Sequence, residues 1–524
     1  MRSFGKFLIV FLMLSVPSLT WAANVYIKEG GSGAGTSWSD ALDDLPATLV
    51  RGNTYYFADG SYAGYNFNDA EVGTQVITIK KCGTGDGICE NATGYSAADH
   101  DGYAEFSSVG LHFENGYYVL DGNAADWSYG FRMAMGSAYG CWIDGANNLQ
   151  IKSLWIYHTV SNHVRGLAVT AAGTNNTLIQ NVRITRAGND AFLLYNSSNV
   201  TYDHVWVDIK DTDDSTHADA WEINGTVSDI TIRHSKVNWD GQQIFWGATG
   251  GNTYNNWFVY GNEFSAVSPG VSTVAMKNRD PAIFPIENLY AYNNTMFNLH
   301  HAFELGLGTA DVRNNIIYSN TSASAFGDSV HNYNASDDDL GEANDQLLIA
   351  DPFTDSAGGD FTLSGATTAG ETLSSPYNVD LLGHTRGEDG TWDRGAYEYN
   401  PGAEDVVPSA FTFTDQTGVA LGSTGNSDNA TVAGIDNQAT LALTGDASCK
   451  YSINGAAWAT ADDNVTLNDN VALQNVASGS YSTAISCTLN LGGVTDTWSR
   501  TTLAAVSDPV APRFKGASMS GGWR

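Results

Sequence analysis

Asn176-Thr-Leu-Ile-Gln-Asn-Val-Arg-Ile184, Asn199-Val-Thr-Tyr-Asp-His-Val-Trp-Val207 and Asp229-Ile-Thr-Ile-Arg-His-Ser-Lys-Val237 are three versions of one pattern. Each opens on a turn residue and then alternates apolar and polar side chains at period two, as a strand with one buried face does. The pattern reaches upstream to Asn148-Leu-Gln-Ile-Lys-Ser-Leu-Trp-Ile156. Downstream it continues at Asn256-Trp-Phe-Val-Tyr-Gly-Asn-Glu-Phe264 and Asn288-Leu-Tyr-Ala-Tyr-Asn-Asn-Thr-Met296, and fades at Ala310. Copies begin about 27 residues apart, unevenly, and no helical pattern of ten residues separates them. An all-strand repeat of this size predicts stacked coils of a parallel solenoid, because one coil alone cannot bury its apolar face. Asn at equivalent corners would form a ladder of side-chain amides. Surplus residues must leave the coils as loops, and loops on one face wall a groove.

The repeat is joined by Ser37-Trp-Ser-Asp-Ala-Leu42, Thr54-Tyr-Tyr-Phe-Ala-Asp-Gly60, Ile77-Thr-Ile-Lys80 and the closing tract Asp360-Phe-Thr-Leu363 to Trp392-Asp-Arg-Gly-Ala-Tyr-Glu398. Together, over about residues 24–399, these resemble the secreted right-handed parallel β-helix proteins of the pectate-lyase-like superfamily. The resemblance implies an all-β fold, a right-handed parallel β-helix with a short N-terminal capping helix formed by the amphipathic stretch from Asp40 to Leu49. It leaves activity open, since that superfamily holds lyases, hydrolases, epimerases and non-enzymes. Residues 401–409 read as a linker. Short alternating strands spaced near ten residues then fill 410–504, as in an Ig-like β-sandwich of the kind appended to bacterial exported proteins. Residues 505–524 read as a flexible tail.

Residues 1–22 have the basic start, apolar run (Phe7 to Val16) and small-residue end of a secretory signal peptide, so export is expected. Five cysteines in an exported chain are disulfide candidates first: Cys82 with Cys89, and Cys449 with Cys487, leaving Cys141. No cysteine or histidine spacing suggests a structural zinc site. The chain carries 57 acidic and 24 basic residues, net −33 over 524, which excludes a nucleic-acid partner by repulsion. Aromatics at 11% exclude a disordered chain. No span of the mature chain approaches the length of a membrane helix. A monomer acting on a polysaccharide is expected.

A second alignment runs through the repeats. Asp190, Asp219, Gln243 and His301 fall in one column, and Phe192, Trp221, Phe245 and Phe303 in another two residues on. Parity puts the aromatics in the core, the polar column at the corner entering the strand, and Glu222, Trp246 and Glu304 towards solvent. Ionisable residues crowd that corner. Expected catalytic groups are His217, Asp219, Lys277, Arg279, Asp190 and Glu222. Expected substrate contacts are His163, Arg165, Gln243, Trp246, His300, His301 and Glu304.

Two chemistries fit. β-Elimination of a uronate needs a base (His217, Lys277 or Arg279) and a neutraliser of the sugar carboxylate, either Arg165 or Ca²⁺. Hydrolysis needs two carboxyl groups, drawn from Asp190, Asp219 and Glu222. The pectinase hydrolase pattern of Asn-x-Asp, Asp-Asp, Gly-His-Gly and Arg-x-Lys is not reproduced. Asp211, Asp213 and Asp214 form an acidic loop that could take Ca²⁺, without the spacing of a defined calcium loop. The reading that results is an exported polysaccharide lyase, with a hydrolase or epimerase, or a non-catalytic glycan-binding β-helix, as the alternatives.

Overall fold

The computed structural model describes residues 22–505, apart from 84, 126, 136–139, 159–164, 186–189, 210–218, 240–242, 248–253, 267–272, 278–285, 307–308, 400–405 and 436–437. The region read as a signal peptide and nearly all of the tail therefore lie outside the described residues. The chain divides into two units, residues 1–400 and 401–524. Among the described residues no helix is long and apolar enough to cross a membrane.

The first unit is a parallel β-helix solenoid whose central coils each contribute a strand to three parallel sheets. The first sheet pairs Val200 with Ile230 and Ile230 with Trp257, then Trp257 with Leu289. The second pairs Trp206 with Lys236 and Lys236 with Glu263. The third pairs Phe192 with Trp221, Trp221 with Phe245, Phe245 with Met276 and Met276 with Phe303. Inward side chains of all three sheets form one continuous apolar core.

The turn residues that open the repeat explain its corners. Asn148, Asn176, Asn199, Asp229, Asn256 and Asn288 all have φ between 50° and 59°. That left-handed conformation suits Asn and Asp, whose short polar side chains tolerate it. Their side chains join from coil to coil, Asn199 to Asn176 at 3.3 Å and Asn256 to Asp229 at 2.9 Å. A second ladder lies inside the corner between the first and second sheets. Asn262, Asn294, Asn315 and Asn334 are wholly buried, and each amide donates to the next side-chain oxygen at 2.9 Å. Asp345 ends the run by accepting the Asn334 backbone N–H at 2.8 Å. Buried amides are tolerated because every one is partnered.

The expected capping helix is absent. From Asp40 to Leu49 the chain is irregular, with one 3₁₀ turn at Trp38–Asp40. Pro46 interrupts the stretch, and its acids bond elsewhere. Asp43 accepts the Gly30 N–H at 2.5 Å and Asp44 accepts the Ala63 N–H at 3.0 Å. At the other end, the tract closing at Glu398 packs back on the second sheet. The Ala396 N–H donates to Thr295 at 2.9 Å, and fully buried Arg394 donates to the Asn334 carbonyl at 2.7 Å.

The second unit is a two-sheet β-sandwich. Gln416–Val419, Val494–Thr502, Ala484–Leu491, Ala439–Gly445 and Asp463–Val465 make one sheet; Thr424–Thr431, Asn470–Val476 and Lys450–Ile453 make the other. Trp498 is fully buried in the core between them. Both expected disulfides are present, Cys82–Cys89 and Cys449–Cys487, and Cys141 is buried and free. Cys487 lies in a strand of the larger sheet and Cys449 directly precedes one of the smaller, so this bridge ties the two sheets. It closes a separation of 38 residues. Replacing both cysteines by Ala is expected to cost about 4 kcal/mol on the chain-entropy account, read as a lower denaturation midpoint of the sandwich unit.

Candidate active site

The third sheet holds the densest set of ionisable groups near the expected column. Its inward row is Phe192, Trp221, Phe245, Met276 and Phe303, none more than 3% exposed. The rings stack along the solenoid, Trp221 lying 5.0 Å from both Phe192 and Phe245. The expectation that these aromatics are core rather than a sugar platform therefore holds. On the opposite parity, Glu222 pairs with Trp246 and Lys277 pairs with Glu304. Their backbones form one outward row, with coils spaced ~4.8 Å apart.

Three successive coils meet at a single guanidinium. Arg165 donates through Nε to Asp190 Oδ2 at 2.7 Å and through Nη2 to Glu222. Asp190 also accepts the Asp219 backbone N–H at 3.1 Å, and Asn224 donates to Glu222 at 2.9 Å. Asp190 is 1% exposed and Asp219 fully buried, while Glu222 keeps a partly open side chain. The two aspartates were expected at the corner entering the strand. They share the inward parity of Phe192 and Trp221 instead, so they enter the sheet from beneath.

That burial sets the electrostatics. Burial first, then the hydrogen bond and charge of Glu222, push Asp190 up to about 9. Burial works the same way on Glu222, but hydrogen bonds from Asp190 and Asn224 and the Arg165 charge outweigh it and hold Glu222 low. The two carboxyl groups are thus pushed apart, Asp190 towards its protonated form and Glu222 towards its ionised form, as closely spaced carboxyl groups are. One member stays a proton donor while the other stays ionised.

The remaining expected residues divide three ways. Gln243 pairs with Asp219, placing it in the expected column, and Val274 stands between it and His301. His301 donates from Nδ1 to the Ala323 carbonyl at 2.7 Å, and the His300 ring bonds Thr321 at 2.8 Å. The backbones of Trp246, Lys277 and Glu304 fall at the register positions of Glu222 on successive coils. His163, His217, Arg279, Asp211, Asp213 and Asp214 lie outside the described residues.

A second cluster escaped the sequence reading. Asp203 receives Arg233 at 2.8 Å and Gln180 at 3.2 Å, with His204 at 2.8 Å and His234 at 3.6 Å. Burial would raise Asp203, but both histidines and Arg233 outweigh it and drive its carboxyl far below the usual range. The repeat itself carried the signal, since it sets Asp203 over Arg233 and His204 over His234. Among the described residues this is where a metal's donors come together, within 4.8 Å of one another. The Arg233 guanidinium already supplies positive charge there, so the cluster reads as an ion network.

No protein-family model matches the chain, and no curated protein does. Solved structures of similar architecture include an alginate lyase from Paenibacillus sp. strain FPU-7. It is 14% identical with a TM-score of 0.31, over 63% of this chain and 96% of that one. Another is a tailspike protein of the Acinetobacter baumannii bacteriophage Fri1, a capsular polysaccharide depolymerase. That one is 11% identical with a TM-score of 0.26, over 81% and 79% of the two chains. A third is the catalytic domain of a GH87 α-1,3-glucanase bound to nigerose, 10% identical with a TM-score of 0.27, over 62% and 64%. At these identities and scores none of them bears on the activity of this chain.

Proposed function

We propose that the chain is an exported glycan-depolymerising enzyme that hydrolyses a glycosidic bond, with the Asp190–Glu222 pair as its acid–base group. The observation that carries this is a buried carboxyl group and a more open one held on one guanidinium at the edge of the third sheet. Hydrolysis needs a proton donor for the leaving oxygen and an ionised carboxylate near it. Glu222, the more open member, is the one a sugar would meet, with Asp190 beneath it as proton store and Asp219 fixing the strand entry.

β-Elimination is the second reading. It is favoured by the position of Lys277 in the outward row of Glu222 and Glu304. Against it, Arg165 is committed to Asp190 and Glu222. Two carboxyl groups on that guanidinium leave it, among the described residues, no positive charge over to neutralise a uronate. A neutral glycan fits that balance better than the uronate polymer expected from sequence. Ca²⁺ at Asp211, Asp213 and Asp214 belongs to the elimination reading only. The two disulfides fit an oxidising compartment.

The test is a panel of neutral and uronate-containing polysaccharides, followed at once by reducing ends and by the ultraviolet absorbance of unsaturated uronyl products. Reducing ends without absorbance on a neutral glycan is the expected result. Absorbance together with reducing ends establishes a lyase. Neither signal on any polymer leaves a glycan-binding β-helix.

A further inference from the structure

On the second sheet, away from the carboxyl cluster, lies a cavity of about 810 Å³. We propose that it is a second, non-catalytic saccharide site, one that takes a neutral stretch of a glycan chain and anchors it to the solenoid. The inference rests on the proposed function for the glycan class of its ligand and, in its test, for the loss of turnover in Glu222→Gln.

Three observations carry it. The size lies within the range of small-molecule sites, and the lining has their chemistry, aromatic faces around a few polar groups. Trp127 and Phe297 supply aromatic surface, and Asp208, Asn238, Ser265 and Asn298 supply donors and acceptors for hydroxyl groups. A sugar ring presents the same combination, an apolar face rimmed by hydroxyls.

The second observation is how Trp127 is held. Its φ is 63°, a conformation that a bulky aromatic residue adopts only when its surroundings enforce it. The enforcement comes from Asn181, a side chain only 2% exposed. Asn181 accepts the Trp127 N–H at 2.8 Å and donates to the Ala125 carbonyl at 3.0 Å and the Ser128 carbonyl at 2.6 Å. Three of the hydrogen bonds of this buried amide fix the short turn that sets the indole over the second sheet.

The third is charge. The cations near the cavity are paired: Lys236 stands 3.7 Å from Glu263, and Arg183 stands 3.6 Å from Asp208. Among the described residues no net positive charge is left there to seize a carboxylate or sulfate, which selects a neutral saccharide.

Native affinity electrophoresis tests this in a Glu222→Gln background, where turnover cannot consume the ligand. The probes are a soluble β-glucan, an α-glucan and a galactomannan, with alginate as the anionic control. At least one neutral polymer is expected to retard Glu222→Gln. Adding Trp127→Ala or Asn238→Ala is expected to weaken that retardation by about tenfold, the scale for losing an aromatic anchor. Circular dichroism matching the parent shows that the added change leaves the fold intact. Retardation unchanged by both added substitutions overturns the proposal, as does retardation by alginate alone. If the wild type hydrolyses a neutral polymer that retards none of these proteins, the second site falls while the catalytic reading stands.

Discussion

Glu222→Gln is expected to lower kcat on the identified polymer by at least about 100-fold, the usual scale for a general acid or base, with the fold unchanged. Asp190→Asn is expected to fall nearly as far, because it removes the proton that Asp190 holds. The two losses should not add, since both variants break one unit. The pH dependence has a defined direction. Asp190 is pushed up to about 9 by burial and by Glu222, so kcat/KM is expected to decline on the alkaline side as the pair gives up its proton. Stability moves with it. A carboxyl raised in the folded state stabilises fully below its ordinary value near 4. That contribution drains away as pH rises towards the folded value. Asp190→Asn should therefore flatten the fall in denaturation midpoint between roughly pH 4 and 9. A wild-type slope retained in the variant would show that Asp190 is not the group titrating.

Trp221→Ala is expected to destabilise the solenoid by about 3–5 kcal/mol. The indole is fully buried, stacked at 5.0 Å on Phe192 and Phe245 and set edge-on to Tyr202 at 5.6 Å. Rings on three coils close around that volume, so the cavity left behind cannot collapse. Urea titration followed by far-ultraviolet circular dichroism reads the loss as a lower midpoint. The residue lies between Asp219 and Glu222 on one strand, so activity at moderate temperature should fall together with stability.

The Asn-led repeat made the solenoid legible because its turn residue has a conformational reason to recur. Six of the seven copies open on Asn or Asp, and all six have positive φ. The paired columns were legible for the same reason: strand register preserves spacing, so Asp219 over Gln243 and Trp221 over Phe245 follow from alignment alone. The depth of Asp190 and Asp219 was harder to read, because parity makes an acid two residues before a core aromatic point inward, against its solvation preference. For Asp190, the Arg165 contact from a neighbouring coil and the Asp219 N–H compensate that burial. The missing helix was misjudged because apolar spacing from Asp40 to Leu49 says nothing of Asp43 and Asp44 bonding to distant backbone. Trp127 gave no signal, since the residue that positions it, Asn181, stands 54 positions away.

The buried asparagine corner bears on how such a chain changes length over descent. Asn262, Asn294, Asn315 and Asn334 offer identical joints, although 32, 21 and 19 residues separate successive members. Cutting the chain at two such joints and rejoining it removes one turn and leaves every amide with a partner of the same kind. An excision that starts or stops between joints strands two buried amides and shifts the inward parity of every strand that follows. Insertions and deletions that survive in this lineage should therefore fall into two classes, whole turns of the stack and changes confined to the loops, with whatever lies on a retained turn carried along intact.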